Sequence, residues 1–351
     1  PHIVRKLMEG RAQDIRECVG AAYCIDRLYS GGGALCIQNP AMGREKTMPH
    51  AITRSSGARR KVVVAGAGPG GLEAARVSAE RGHRVVLFEA SDKTGGQVNL
   101  AVRATWRGNL GGITRWLESQ ALKLGVEIRL EHEATAERVL AEEPDVVIVA
   151  TGGRPNKGRF RDSDFIVSTW DILAGGVVPA ESVLLYDDNG DHQGPSCAEY
   201  MAARGAKVEL VTYEQQVAKH VGITNRPVHM RELYKGGVVM TPDMRMAGVE
   251  REGNKVVVVL KNDYTGEEEE RLVDQVVVEH GTLPSDELYE ALKPRSRNLG
   301  ELDLDGFVLG RPRPITNKPA GRFVLYRVGD AVSSRNIHAA IYDSLRLCKE
   351  L

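Results

Sequence analysis

The sequence predicts an α/β protein with two nested, Rossmann-like parallel-sheet domains preceded by a small irregular cysteine module. Three observations support this fold class. Short apolar runs alternate with Ala-rich helical segments, and a strand–helix–strand unit of this kind implies a parallel sheet. The unit occurs twice in the 351-residue chain, which has room for about two domains. A Gly-rich stretch with three cysteines precedes both units.

Composition narrows the class of partner. Lys plus Arg is 47 and Asp plus Glu is 47, so the chain has no net field to hold nucleic acid or an anionic membrane, and neither partner is expected. No apolar run approaches the ~18 residues that span a bilayer, and no signal peptide is recognised. An odd count of five cysteines favours a reducing cytoplasm over a disulfide framework. The chain begins Pro1-His2-Ile3, and we expect a further segment upstream of it.

The cysteine module and its linker are predicted at residues 1–57. Cys18, Cys24 and Cys36 follow the spacing C-x5-C-x11-C. Closely spaced cysteines in a Gly-rich loop suggest metal or iron–sulfur ligation. Unligated thiols are the alternative.

The first nucleotide-binding domain is predicted at residues 58–160 together with 305–351. Its predicted strands are 61–65, 84–88, 126–130, 145–150 and 323–328, and its predicted helices are 72–81, 112–124 and 337–351. A chain that leaves this domain and returns to it encloses the second domain.

The turn after strand 61–65 has a glycine fingerprint. Gly66, Gly68 and Gly71 form the pattern G-x-G-x-x-G, with Pro69 and Gly70 between them. The first glycine permits a tight turn, the second lets the backbone approach a pyrophosphate, and the third lets the helix pack closely on the strand. The N–H groups and the positive dipole end of the helix then favour phosphate. A purely structural turn is the alternative, but the surrounding strand and helix favour a dinucleotide site.

Residues at the other strand ends extend this site. Glu89, 18 residues after Gly71, ends the second strand with Ala90; its carboxylate suits both hydroxyls of an adenosine ribose and would repel a 2′-phosphate. The further predicted cofactor-binding residues are Gly96, Gln97, Thr151, Gly152, Gly329 and Asp330. This set resembles the flavoprotein disulfide reductases with two dinucleotide domains of the FAD/NAD(P)-binding superfamily type, in which an Asp at the position of Asp330 binds the ribityl–phosphate region of FAD. The resemblance implies FAD or ADP.

The second domain is predicted at residues 161–304. Its predicted strands are 182–186, 207–212, 255–260 and 272–279, with a helix at 196–204 and a polar hairpin at 262–271. Its first turn, residues 187–194, has lost the glycine fingerprint and contains three acids, Asp187, Asp188 and Asp191. Carboxylates beside a pyrophosphate repel it, so this domain is predicted to have lost tight NAD(P)H binding. A shifted loop that uses Gly190 and Gly194 to bind the nucleotide is the alternative.

The cysteine stretch makes the resemblance more specific. The segments 14–20, 24–27 and 36–40 resemble the iron–sulfur region of the trimethylamine dehydrogenase, histamine dehydrogenase and 2,4-dienoyl-CoA reductase family, and the similarity extends along nearly the whole chain. The resemblance implies an N-terminal barrel with FMN, a [4Fe–4S] segment, and an FAD- or ADP-binding domain with a second domain inserted. It places the first, third and fourth cluster ligands at Cys18, Cys24 and Cys36.

The second cluster ligand of that family falls on Ala21, which cannot bind iron. A [3Fe–4S] cluster, a [4Fe–4S] cluster with an outside ligand such as water or His50, and a lost cluster are the alternatives. The broken second loop resembles trimethylamine dehydrogenase, whose corresponding domain does not bind NAD. The stretch 328–338 resembles relatives that demethylate N-methylated amino acids such as dimethylglycine or N-methylproline.

The family's chemistry takes place at FMN in the barrel, so no catalytic residue is assigned here, and His338 is expected to be structural rather than catalytic. The first hypothesis is the electron-transfer part of an amine dehydrogenase or N-demethylase, a homo-oligomer passing electrons from FMN through an iron–sulfur centre to an electron-transferring flavoprotein. The second is an NAD(P)H-dependent reductase of the 2,4-dienoyl-CoA reductase type. The third is a non-enzymatic ADP-binding scaffold. NADPH binding at residues 187–194 discriminates the first two.

Overall fold

The computed structural model describes residues 2–158, 163, 165–309 and 313–351. The helices are α1 (Ile3–Met8), α2 (Tyr23–Tyr29), α3 (Pro69–Glu80), α4 (Val98–Ala101), α5 (Gly112–Lys123), α6 (Ala136–Ala141), α7 (Thr169–Leu173), α8 (Gln193–Ala202), α9 (Arg226–Lys235), α10 (Glu287–Leu292), α11 (Leu304–Val308) and α12 (Ile337–Cys348). The strands are β1 (Lys61–Ala65), β2 (Arg84–Phe88), β3 (Glu127–Arg129), β4 (Val146–Val149), β5 (Gly153–Pro155), β6 (Ile166–Ser168), β7 (Ser182–Asp187), β8 (Lys207–Val211), β9 (Val239–Thr241), β10 (Met244–Glu252), β11 (Lys255–Asn262), β12 (Glu268–Val273), β13 (Gln275–Glu279), β14 (Thr282–Pro284) and β15 (Val324–Arg327).

The first domain is built on a parallel five-stranded sheet in the order β15-β4-β1-β2-β3. Val62 and Val64 of β1 pack on one face, with Leu72 of α3 and Ile341 of α12 in the same core. Val63 packs on the opposite face. Because both faces of the sheet are covered, β1 is apolar along its length, as expected of a buried parallel strand.

The second domain repeats this plan with a parallel sheet in the order β6-β13-β7-β8-β9. One face packs against α7, α8 and α9. The other packs against an antiparallel sheet, β10-β11-β12. The predicted α/β class with parallel sheets is confirmed. The predicted hairpin 262–271 is shorter in the structure, because residues 268–273 pair with β11 as a strand.

Helix α10, which precedes the predicted return at residue 305, packs on the core of the first domain. Tyr289 and Leu292 of α10 are buried in the same core as Phe88 and Phe323. Just before α10, β14 pairs antiparallel with β5, so the two connections between the domains run side by side. The other predicted boundary, between residues 160 and 161, lies outside the described residues.

The cysteine module, predicted at residues 1–57, packs on both domains. The guanidinium of Arg16 lies 3.7 Å from the ring centre of Trp116 in α5, which places it over the ring as a cation–π contact. On the second domain, Asp26 accepts a hydrogen bond from the Thr224 N–H at 2.9 Å, and Asn225 Nδ2 donates to the Ala21 carbonyl at 2.9 Å. The module therefore links the two sheets.

A loop of the first domain also holds the second. Glu199 in α8 is 5% exposed and accepts hydrogen bonds from the Thr105 N–H at 3.0 Å and from Trp106 Nε1 at 3.2 Å. Arg103 donates to the Tyr200 hydroxyl at 3.0 Å. Hydrogen bonds to a buried charged group are among the stronger ones in proteins, so Glu199 stabilises the contact between the two domains.

Candidate nucleotide site

The glycine fingerprint lies where β1 meets α3. Gly66 has φ +99°, a conformation that side chains other than that of glycine rarely adopt. A Cβ on Gly71 would lie 2.9 Å from the carbonyl carbon of Gly66 and would overlap its oxygen. The first and third glycines therefore permit a close approach of helix and strand that any side chain would prevent.

The start of α3 offers free donors to a ligand. Pro69 is its first residue, and the preceding Gly68 has no side chain to cap it. Among the described residues, the N–H groups of Gly70 and Gly71 have no hydrogen-bond acceptor. Unpaired N–H groups and the positive end of a twelve-residue helix form an anion site suited to phosphate.

Glu89 lies beside this loop in the position predicted for a ribose-binding acid. Its Oε2 accepts the Ala67 N–H at 2.8 Å, and its Oε1 accepts the Ser91 N–H at 2.9 Å. These bonds fix the carboxylate next to the glycine turn, and a carboxylate has further lone pairs for ribose hydroxyls. Ala90 is exposed at the same strand end.

Four of the other predicted residues meet on the opposite side of the loop. A Cβ on Gly96 would lie 3.0 Å from the Cα of Gly68. Gln97 Nε2 donates to Asp330 Oδ2 at 3.0 Å, and a Cβ on Gly152 would lie 3.9 Å from the same Gln97 nitrogen. Burial raises the pKa of the Asp330 carboxyl. Sequence reasoning missed Arg335, whose N–H donates to Asp330 Oδ1 at 3.2 Å.

Three predicted residues have structural contacts of their own. A Cβ on Gly70 would lie 3.4 Å from the Ala340 carbonyl in α12, at ordinary contact distance, so Gly70 lies where α3 packs closely on α12. Gly329 has φ +64° and also faces Ala340. The Thr151 hydroxyl donates to the Ser285 carbonyl, which pins this strand end to the returning chain.

The glycine cradle fits an adenine dinucleotide or ADP. The loop would hold the pyrophosphate, Glu89 the ribose, and Gln97 and Asp330 the region beyond it. A bound FAD would supply redox chemistry, and ADP would supply none. The role of each residue toward the ligand stays a prediction.

The corresponding turn of the second domain is different. Asp187 is 1% exposed, and its Oδ1 accepts the N–H groups of Asn189 at 3.0 Å and Gly190 at 2.9 Å. Burial raises the pKa of Asp187 to about 8 and that of the neighbouring Glu279 to about 7. The lost fingerprint is thus replaced by buried carboxyl groups.

The cysteines do not fit a four-ligand cluster. Cys18 is exposed, and Cys24 and Cys36 are partly buried. Within the described part of the chain, no three His, Cys, Asp or Glu side chains are grouped so that they could hold a metal ion. Ala21 stands at the missing ligand position with its carbonyl bound by Asn225.

His338 joins the cysteine module to the first domain. Its Nδ1–H donates to the Cys36 carbonyl at 2.7 Å, and its ring lies between Tyr23 and Tyr342, with centroid distances of 5.1 and 6.0 Å. The side chain is 5% exposed. These contacts agree with the structural role expected for this histidine.

Comparison with known proteins shows which oxidoreductases the chain resembles. Residues 61–148 match the family model described as FAD dependent oxidoreductase. Over 352 residues, the chain is 49% identical to the probable N-methylproline demethylase of Rhizobium meliloti, covering 100% of this chain and 52% of that protein. It is 47% identical over 363 residues to the N,N-dimethylglycine/sarcosine dehydrogenase of Chromohalobacter salexigens, with the same coverage. The chain is thus similar along its whole length to these oxidoreductases, and residues 61–148 match the FAD-dependent oxidoreductase model. The resemblance predicted from the sequence is confirmed.

A solved structure supports the resemblance. Histamine dehydrogenase from Rhizobium sp. 4-9 superposes with a TM-score of 0.82 at 27% identity, covering 99% of this chain and 50% of that structure. The chain thus spans about half the length of the relatives it matches. No helix among the described residues is both long and apolar enough to cross a membrane.

Proposed function

We propose that this chain is the electron-transfer and nucleotide-binding part of a larger FMN-dependent amine dehydrogenase or N-demethylase. The contrast between the two glycine turns supports this direction of electron flow. The first has an open cradle for a dinucleotide, and the second holds the buried carboxyl of Asp187. Electrons that reach this chain would then pass to an acceptor protein and not to NAD(P)+.

The proposed substrates are N-methylated amino acids. Support comes from the names of the two relatives at 47–49% identity, an N-methylproline demethylase and an N,N-dimethylglycine/sarcosine dehydrogenase. The proposed assembly contains FMN in a barrel of the same polypeptide and FAD or ADP in the first domain. An electron-transferring flavoprotein is the proposed acceptor, and the enzyme is proposed to be a homo-oligomer of the cytoplasm, where its five free thiols would stay reduced.

The iron–sulfur route stays a prediction from the resemblance. Three of the four expected cysteines are present, but the described residues give the cluster no additional support. Iron and acid-labile sulfide, measured in full-length protein purified without oxygen, decide whether a cluster is part of the enzyme. Protein without iron would remove the cluster from the route while leaving the substrate class untouched.

The test of the function uses full-length protein under anaerobic conditions. N-methylproline, dimethylglycine and sarcosine are added in turn, and loss of flavin absorbance is followed. We expect at least one to reduce the flavin rapidly, and NADPH to reduce it slowly or not at all. Rapid reduction by NADPH with no response to any N-methylated amino acid would favour the reductase and contradict the proposal. Chromatography of the released nucleotides then distinguishes FAD from ADP.

A further inference from the structure

The two parallel sheets have the same topology, with β1 and β7 as their central strands. The turns that follow these two strands can therefore be compared position by position. Ala65 ends β1 opposite Phe88, and Tyr186 occupies the same place in β7 opposite Val211. The next residue is Gly66 in the first domain and Asp187 in the second. The first glycine of the fingerprint is therefore replaced by an acid at the matching position.

The side chain of Asp187 fills the space between strand and helix. A Cβ on Gly194, in the first turn of α8, would lie 2.5 Å from Asp187 Cγ and 2.9 Å from its Cβ. In the first domain, the closest atoms to the matching Gly71 are the backbone carbonyl of Gly66. The second domain thus keeps a glycine, Gly194, near the start of the helix. The space beside this glycine is filled by the carboxyl group of Asp187.

That carboxyl group also accepts hydrogen bonds from two backbone N–H groups of the turn. Asp187 Oδ1 accepts the N–H groups of Asn189 and Gly190, and its other oxygen faces Gly194. A carboxylate and a phosphate oxygen accept hydrogen bonds from backbone N–H groups in the same way. The turn is therefore occupied by an acceptor of its own chain.

The other two acids of the loop are placed differently. The side chain of Asp188 is 31% exposed and pairs with His280, with 2.8 Å between Oδ2 and Nδ1. The side chain of Asp191 is 45% exposed. The three atoms nearest to a Cβ on Gly194 all belong to Asp187. Steric occupation of the cleft is thus assigned to Asp187, whereas a general negative field would come from every acid of the loop that is charged.

We propose that Asp187 is the specificity-determining residue that closes the second Rossmann fold to nicotinamide nucleotides, by holding its carboxyl group where the ligand's pyrophosphate would lie. The inference rests on the proposed function, because an enzyme that reduces an acceptor protein has no need of NAD(P)H. It adds the residue and the physical means of exclusion.

The experiment compares full-length native protein with the variants Asp187→Gly, Asp187→Asn and Asp191→Asn. NADH and NADPH binding is measured by calorimetry, and inorganic pyrophosphate serves as a smaller probe in thermal shift. We expect the Asp187→Gly protein to bind NADH or NADPH with a Kd at least about tenfold lower than that of native protein. Asp187→Asn keeps the volume and should remain closed, as should Asp191→Asn.

Two results would overturn the proposal. One is a folded Asp187→Gly protein that binds the nucleotides and pyrophosphate no better than native protein. The other is an equal gain in Asp187→Asn or Asp191→Asn, which would assign the exclusion to loop charge. If Asp187→Gly does not fold, Asp187→Ser replaces it under the same criteria.

Failure of this inference is distinguishable from failure of the proposed function. Native protein that oxidises an N-methylated amino acid, with an Asp187→Gly variant that gains no affinity, refutes only the role of Asp187. Native protein that binds NADPH tightly and is reduced by it refutes the proposed direction of electron flow as well.

Discussion

Gly71→Ala is expected to weaken both the first domain and its nucleotide site. A Cβ at this position would lie 2.9 Å from the carbonyl carbon of Gly66, overlap its oxygen, and lie 3.3 Å from the Ala150 Cβ. Ordinary contact begins at 3.4 Å, so α3 must move away from β1 by at least about 0.5 Å, and more to clear the oxygen. Overpacking of this kind costs about 1–3 kcal/mol. The same movement displaces the free N–H groups at the start of α3 from the phosphate position.

Denaturant titration of full-length protein measures the free energy of unfolding, and chromatography measures the nucleotide released by heat. The matched control is Gly108→Ala, because a Cβ there meets nothing within 4 Å and the backbone angle is ordinary. The control should stay within about 0.5 kcal/mol of native protein. Gly71→Ala protein with native stability and a full complement of nucleotide would refute the argument from close approach.

Three further predictions concern the ribose acid, the domain contact and the buried carboxyl group. Glu89→Ala should weaken ADP binding by about 1.5–3 kcal/mol, as expected for the loss of a charged hydrogen-bond acceptor. Calorimetry measures the binding of ADP and of its 2′-phosphate. An equal loss of affinity for both ligands would contradict the role of the carboxylate. Glu199→Ala should cost about 2–3 kcal/mol of unfolding free energy and loosen the contact at Trp106, since the N–H groups of Thr105 and Trp106 lose a charged, buried acceptor. Denaturation followed by tryptophan fluorescence checks this, with the 75%-exposed Glu181 changed to Ala as a control of little effect. Burial raises the pKa of Asp187 to about 8, so the folded state holds a proton that the unfolded chain has released, and this group lowers stability as pH rises from about 4 to about 8. Asp187→Asn should remove up to about 1.4 kcal/mol per pH unit of that slope, and an unchanged slope in denaturant titrations from pH 5 to pH 8 would contradict the raised pKa.

Local sequence patterns predicted most of the strands and helices of the first domain. Strand β1 was predicted at residues 61–65 and has those bounds, because a short apolar run next to a glycine turn is recognised without reference to the rest of the chain. Helix α3 begins at Pro69, three residues before its predicted start. Glycines were assigned to the loop, but the helix already includes Gly70 and Gly71. Proline at the first helical position is favourable, because its missing N–H has no partner there in any case.

Contacts between distant residues were beyond a local pattern. Gly70 packs against Ala340, a residue 270 positions away in the chain. The cation–π contact between Arg16 and Trp116 joins the cysteine module to α5. Neither shows in periodicity or spacing. Both depend on which helices share one face of a sheet, and that is settled by tertiary packing.

The sequence by itself determined the α/β class, the glycine fingerprint and the loss of that fingerprint in the second domain, because each of these depends on residues that are close together in the chain. Only the tertiary structure decided how the loss acts. From the sequence, three acids near a turn meant general repulsion. In the folded protein, Asp187 turns inward against Gly194 while Asp188 pairs with His280 and Asp191 faces solvent. The direction of a side chain depends on the strand end and the helix start that surround it, and these meet only when the sheet is formed.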